Sequence, residues 1–157
     1  MTEAKIIFGD GTMIQEATQT VFQKCHSVMQ KSYKDAHSKA GFPNRGRADC
    51  SYGEFVNDLN NSELLYFVCA DNIIVGILRL KMVNPDLCKL KDIAVLHEFQ
   101  SKGYGKQLLF YAKVKAKELG AKKIELGMYD DNTVLKIGTK GMDLLQLGQK
   151  HMEIPRL

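Results

Sequence analysis

The sequence predicts an α+β protein, a central mixed sheet flanked by helices in an α/β/α arrangement, folded as a single domain over residues 1–157. Three observations predict it. Short apolar runs of strand length recur along the chain, and two of them meet at Asp71-Asn72, a dipeptide suited to a hairpin turn. Longer stretches carry apolar residues at helical spacing. One segment, "DIAVLHEFQSKGYGKQLL", passes from a strand through a glycine turn into an amphipathic helix, the order expected where helices cover a sheet.

Taken in order, "AKIIFGD" reads as a short strand. The spacing then predicts a helix over "GTMIQEATQTVFQKCHSVMQKSY": Thr12 with Gln15 makes a capping-box pattern, and Ile14, Ala17, Val21, Cys25, Val28 and Met29 recur on one face. Residues 35–50 have no period and are rich in turn formers, so they predict a long loop, of the kind that carries function. "YGEFVNDLNN" is a short helix. "ELLYFVCA" and "NIIVGILRLKM" form the hairpin, and "LCKLKDIAV" is a third strand after the turn Asn84-Pro85-Asp86. Beyond the glycines, Leu108, Leu109, Ala112, Ala116 and Leu119 draw an apolar stripe, Lys113, Lys115 and Lys117 take the solvent side, and Gly120 ends the helix. "KKIELGMYD" is another strand, "NTVLKIGTKG" a short helix, and "MDLLQL" with "KHMEI" a hairpin about Gly148.

Composition narrows the class. With 45% apolar and 25% charged residues in 157, the chain is expected to bury one core of ordinary globular character. No apolar run approaches the length of a membrane span and the N-terminus lacks signal character, so a cytoplasmic protein with no membrane partner is expected. Cys25, Cys50, Cys69 and Cys88 contain no C-x-x-C pair and read as free thiols rather than zinc ligands or disulfides. The net charge of +4 is localised: Lys102 to Lys123 holds seven lysines against one glutamate, and Lys31, Lys34, Lys39, Arg45 and Arg47 form a second basic cluster with Asp35. Such patches suit a phosphorylated ligand or an acidic substrate. No zinc-finger spacing or aromatic RNA-binding strand accompanies them, so nucleic acid is not expected as a partner.

In "QSKGYGKQLL", Gly103 and Gly105 remove Cβ atoms at a helix start, where backbone N–H groups lack helical partners and the helix dipole is positive. Lys102 and Lys106 flank the turn. Two readings follow from the residues alone: an anion seat, or a strand-to-helix turn whose lysines face water. The absence of a closing Gly-Lys-Ser/Thr excludes a Walker A loop, and the long dinucleotide fingerprint lacks its third glycine.

The same stretch, a strand ending at Val95 followed by Gln100-Ser101-Lys102-Gly103-Tyr104-Gly105 in the pattern Gln/Arg-x-x-Gly-x-Gly/Ala, resembles the acyl-CoA-binding segment of the GNAT family of N-acetyltransferases. The resemblance extends through the following helix and strand to Asn132. It implies the acyl-CoA N-acyltransferase fold with a shortened C-terminal strand pair, and acetyl-CoA as cosubstrate. A pyrophosphate would rest on the backbone N–H groups of residues 100–105, with Lys102 and Lys106 adding positive charge. The pantetheine arm would pair like an added strand with Ile93, Ala94 and Val95. Asn132 matches the asparagine that contacts this arm in many members; capping of a following helix is its other reading. The implied activity is acetyl transfer to a primary amine of a small, amino-acid-like molecule or a peptide. The alternative is a non-catalytic CoA-binding or regulatory domain of the same fold.

The chemistry is less well marked. The tyrosine acid that many members carry after the asparagine is missing from "NTVLKIGTKGM"; Thr139 has the separation but is a poor acid, and Tyr129 reads as a strand aromatic. Asp92 is the candidate base, with a structural carboxylate as the opposing reading. Lys91 stands where polyamine-acetylating relatives place a glutamate. The short C-terminus implies either an open acceptor groove or a second subunit that completes its wall in a homodimer.

Overall fold

The computed structural model describes residues 5–9, 11–40, 49–127 and 132–136. Among these, β1 (Lys5–Ile7), β2 (Met13–Glu16), β3 (Leu64–Ala70), β4 (Ile73–Asn84), β5 (Leu87–Val95), β6 (Lys123–Gly127) and β7 (Asn132–Lys136) lie side by side in chain order. Neighbours are antiparallel except β5 and β6. A parallel join needs a crossover, and α3 (Tyr104–Glu118) supplies it. Two further helices, α1 (Gln19–Ala40) and α2 (Tyr52–Asn60), precede β3.

The sheet separates two cores. Against α3 lie Tyr66 and Val68 of β3, Val75, Leu78 and Leu80 of β4, and Cys88 and Leu90 of β5, packed on Leu108, Leu109, Ala112 and Ala116. Against α1 and α2 lie Leu65, Phe67, Ile74, Ile77 and Ala94, packed on Cys25, Val28, Met29 and Phe55. Alternation along β3 sends successive side chains to opposite layers, as the pleat requires. The mixed α/β/α architecture is therefore as expected.

Local chemistry explains several boundaries. Asp71 (φ 49°) and Asn72 (φ 66°) take two consecutive left-handed conformations, the geometry of a two-residue hairpin, between β3 and β4. Ser51 Oγ accepts from Glu54 N–H at 3.1 Å while Ser51 N–H donates to the Glu54 carboxylate at 3.1 Å, a reciprocal cap that starts α2. At the end of α3, Gly120 (φ 92°) donates to Lys117 O and Ala121 to Ala116 O, the paired bonds that close a helix through a left-handed glycine.

Three expectations are corrected. The first helix does not start at Thr12: Met13–Glu16 is a strand, with Ile14 opposite Val68 of β3, and α1 begins only at Gln19. Pairing to both β1 and β3 outweighs the helical spacing that Ile14 shares with Ala17 and Val21. The loop expected from residue 35 does not start there, because α1 continues to Ala40, and residues 41–48 of that stretch lie outside the described residues. The helix expected over "NTVLKIGTKG" is a strand for residues 132–136, paired antiparallel with β6. The hairpin about Gly148 lies outside the described residues.

Candidate functional site

The site is built on a bulge in β5. Arg79 faces Asp92 across the β4–β5 ladder, yet the next pair is Leu80 with Leu90, so Lys91 is one residue in excess. An extra residue reverses the strand's alternation. Cys88 and Leu90 point to the α3 core, but beyond the bulge it is Ala94 that enters the α1/α2 core and Ile93 and Val95 that pack on the α3 side. The bulge also coincides with the last described pair between β5 and β6. β5 is matched to β6 from Leu87 to Leu90, and among the described residues Asp92 to Val95 has β4 alone as a strand partner. Among the described residues the outer edge of Ile93–Val95 therefore carries no strand.

The chain leaves this edge through a 3-10 turn, His97–Phe99, and enters the glycine loop. Gln100 Nε2 donates to Val95 O at 3.1 Å, tying loop to strand. Ser101 (φ 62°) and Gly103 (φ 94°) are left-handed, a conformation natural for glycine and strained for serine by about 1 kcal/mol. The first helical bond of α3 is Gln107 N–H to Gly103 O, 3.0 Å; among the described residues no acceptor takes the backbone N–H of residues 101–106. The N–H groups of Tyr104, Gly105 and Lys106 therefore stand in the first turn of a 15-residue helix, at its positive end. The Lys102 ammonium lies over the Phe99 ring at 5.4 Å, and Phe99 meets Tyr104 edge-on at 6.4 Å, which fixes the loop's apolar underside. The Gln100 contact places the start of the glycine loop beside the end of the Ile93–Val95 segment.

Asp92 is 1% exposed, and both of its oxygens are engaged. Arg79 Nε donates to Oδ2 at 2.6 Å and the Tyr33 hydroxyl donates to Oδ1 at 3.0 Å. Arg79 is itself fully buried, with its guanidinium 5.1 Å from the Phe55 ring centre and 3.3 Å from Glu63 and 3.7 Å from Asp58. Lys91 completes the chain of charges at 3.7 Å from Glu63. The sequence reading missed Arg79, Glu63 and Tyr33. An arginine in the middle of the apolar run "NIIVGILRLKM" was the available signal, since a buried charge demands partners.

Asn132 opens β7 opposite Gly127 of β6, so it caps no helix there. Thr139 and Tyr129 lie outside the described residues, as do Arg45 and Arg47; Lys31 lies on α1, paired with Glu98 at 3.6 Å. None of the four cysteines is in a disulfide. Burial pushes the Cys25 thiol up to about 12 and Cys88 to about 11, and it raises Cys69 as well. None of these three is set up as a nucleophile.

Comparison with known proteins agrees with this geometry. The model of the acetyltransferase (GNAT) family matches residues 22–135. A Bacillus subtilis (strain 168) protein named uncharacterized N-acetyltransferase YvbK is 40% identical over 62 residues, 40% of this chain and 40% of that protein, so the match spans less than half of the relative's length. The fold is similar to that of the PaiA N-acetyltransferase from Thermoplasma acidophilum in complex with coenzyme A, with a TM-score of 0.61 and 20% identity over 78% of this chain and 82% of that one. It is also similar to a GNAT family acetyltransferase from Elizabethkingia anophelis with acetyl-CoA bound, with a TM-score of 0.53 and 26% identity over 78% and 68%. The family match runs from α1 into β7 and so takes in both the opened strand and the glycine turn: this chain belongs to the GNAT family of acetyltransferases.

Proposed function

We propose that this chain transfers an acetyl group from acetyl-CoA to the primary amine of a small, neutral or acidic acceptor or a peptide. The observation that carries the proposal is that, among the described residues, the Ile93–Val95 segment has no strand on its outer edge and the N–H groups of residues 101–106 have no acceptor, the two being joined through Gln100. That pairing suits a ligand with an amide-bearing arm at one end and phosphates at the other. Bound acetyl-CoA supplies an activated thioester; the residues of this chain bind, orient and polarise. Backbone donors at the strand edge are suited to the thioester oxygen, where charge develops, and Lys102 and Lys106 offset phosphate charge. The open edge ends on the acceptor side at Asp92, which is committed to Arg79 and Tyr33. Its role in this proposal is therefore to position the strand, with the amine proton leaving through solvent. The raised thiols of Cys25, Cys69 and Cys88 favour direct transfer over an acyl-cysteine route. The basic residues from Lys31 onward disfavour a polycationic acceptor through like-charge repulsion.

Calorimetric titration with acetyl-CoA tests the binding, and free-thiol release across acidic, neutral and cationic amines tests the transfer. Replacing Gly103 and Gly105 by valine blocks close approach to the turn and is expected to weaken acetyl-CoA about a hundredfold or more while circular dichroism stays native. An unchanged affinity in the folded double variant overturns the site. Binding without turnover on any amine would favour the non-catalytic reading, and a preference for polyamines would overturn the acceptor class.

A further inference from the structure

The bulge in β5 has its own support. In a regular strand Lys91 and Asp92 would face opposite layers; here both reach the α1/α2 side, Asp92 to Tyr33 and Arg79, Lys91 to Glu63. Glu63 stands immediately before β3 and contacts Lys91 with Oε1 (3.7 Å) and Arg79 with Oε2 (3.3 Å). The four charges therefore run in sequence, Lys91–Glu63–Arg79–Asp92, and both ends of the chain are the two residues of the bulge. Glu63 is 8% exposed and Arg79 0%, so their attraction is weakly screened, and the guanidinium carbon also lies over the Phe55 ring.

We propose that Glu63, Arg79 and Lys91 are positioning residues for acetyl-CoA: by pinning Lys91 and Asp92 to one side they hold β5 in its bulged form and keep the Ile93–Val95 edge away from β6. Slippage of the bulge into a regular strand would return Asp92 and Ala94 to the α3 side and extend the β5–β6 ladder over the edge that the thioester arm needs. Only a network that fastens both bulge residues opposes this, since either contact alone permits one of them to rotate away. The inference rests on the proposed use of acetyl-CoA at this edge.

The decisive variants are at Lys91, the partly exposed end of the chain, where folding is least at risk, and at its buried partner Glu63. Lys91→Met and Glu63→Gln are compared with wild type, with Lys91→Arg as the rescue and with Lys122→Met, at an exposed pair with Asp86, as the control. Acetyl-CoA affinity by calorimetry, kcat at saturating acetyl-CoA and the melting temperature are measured for each. Amide hydrogen exchange compares Ile93–Val95 with Leu87–Leu90. Lys91→Met and Glu63→Gln are expected to weaken acetyl-CoA about threefold to tenfold, with kcat at saturation near wild type and altered exchange confined to Ile93–Val95. Lys91→Arg restores most of the affinity and Lys122→Met changes nothing. A purely structural network would lower the melting temperature and leave affinity and local exchange unmoved, and that result overturns the proposal; should Glu63→Gln not fold, Lys91→Met alone decides it. Wild-type protein that fails to bind acetyl-CoA overturns the function itself, whereas wild type that binds, with every variant binding equally, overturns only this role.

Discussion

Asp92 is the residue on which the chemistry turns. In the proposed reaction a carboxylate on β5 looks like a general base, but a base needs access to a proton. Asp92 has 1% exposure and an arginine at 2.6 Å. Removing its charge leaves the fully buried Arg79 with less compensation, a loss expected to cost about 3 kcal/mol. Asp92→Asn is therefore expected to lower the melting temperature and weaken acetyl-CoA through the loosened bulge. Its kcat per folded molecule at saturation should stay within about threefold of wild type. Denaturant melts paired with steady-state kinetics check this. A fall in kcat of about a hundredfold with affinity intact would instead make Asp92 the catalytic base.

At the scale of elements, α3 must approach β4 closely so that its first turn meets the end of β5. Gly76 makes that approach feasible. A Cβ there would stand 3.0 Å from Leu108 Cδ1, 3.0 Å from Val68 Cγ1 and 3.2 Å from Ala94 O. Gly76→Ala is expected to destabilise the fold by about 1–3 kcal/mol, since neither the helix nor the β5 backbone can yield freely. Combining it with Leu108→Val should cost less than the sum of the two changes, because the shorter side chain relieves part of the overlap. Strictly additive losses in a double-mutant cycle would show that the contact is not where the strain lies. The same glycine pairs with Val95 across β4 and β5, so helix placement and the open edge share one support.

Across the whole molecule the buried acids set a pH limit. Cys25 is raised from 9.0 to about 12, Cys88 from 9.0 to about 11 and Tyr111 from 10.0 to about 12, each chiefly by burial. A raised acid is held neutral in the fold and ionises more easily once unfolded. Its contribution is complete below the unfolded value and declines as pH rises toward the folded one. Stability is thus expected to hold up to about pH 9 and to fall between about pH 9 and about pH 12. Urea midpoints across that range test this, and Cys25→Ala should make the decline shallower. A midpoint that stays level to about pH 11 would contradict the burial of these groups.

What the sequence determined by itself was whatever short-range chemistry controls. Asp71-Asn72 turns because neighbouring residues tolerate left-handed backbone, α3 ends at Gly120 for the same reason, and the glycine loop before Tyr104 exposes donors whatever packs around it. β3 to β5, α2, α3 and the glycine turn between β5 and α3 were legible for this reason. Only the tertiary structure decided the rest. Ile14 carries a helical spacing yet belongs to a strand, because β1 and β3 lie on either side of it. "LCKLKDIAV" reads as an unbroken alternation, and nothing local shows that Lys91 is the extra residue or that Asp92 and Ala94 change layer. That depends on Arg79, 13 positions away from Asp92, and on Tyr33, 59 positions away. Burying a guanidinium and a carboxylate together is favourable only when the folded chain has already removed both from water and brought their partners into reach.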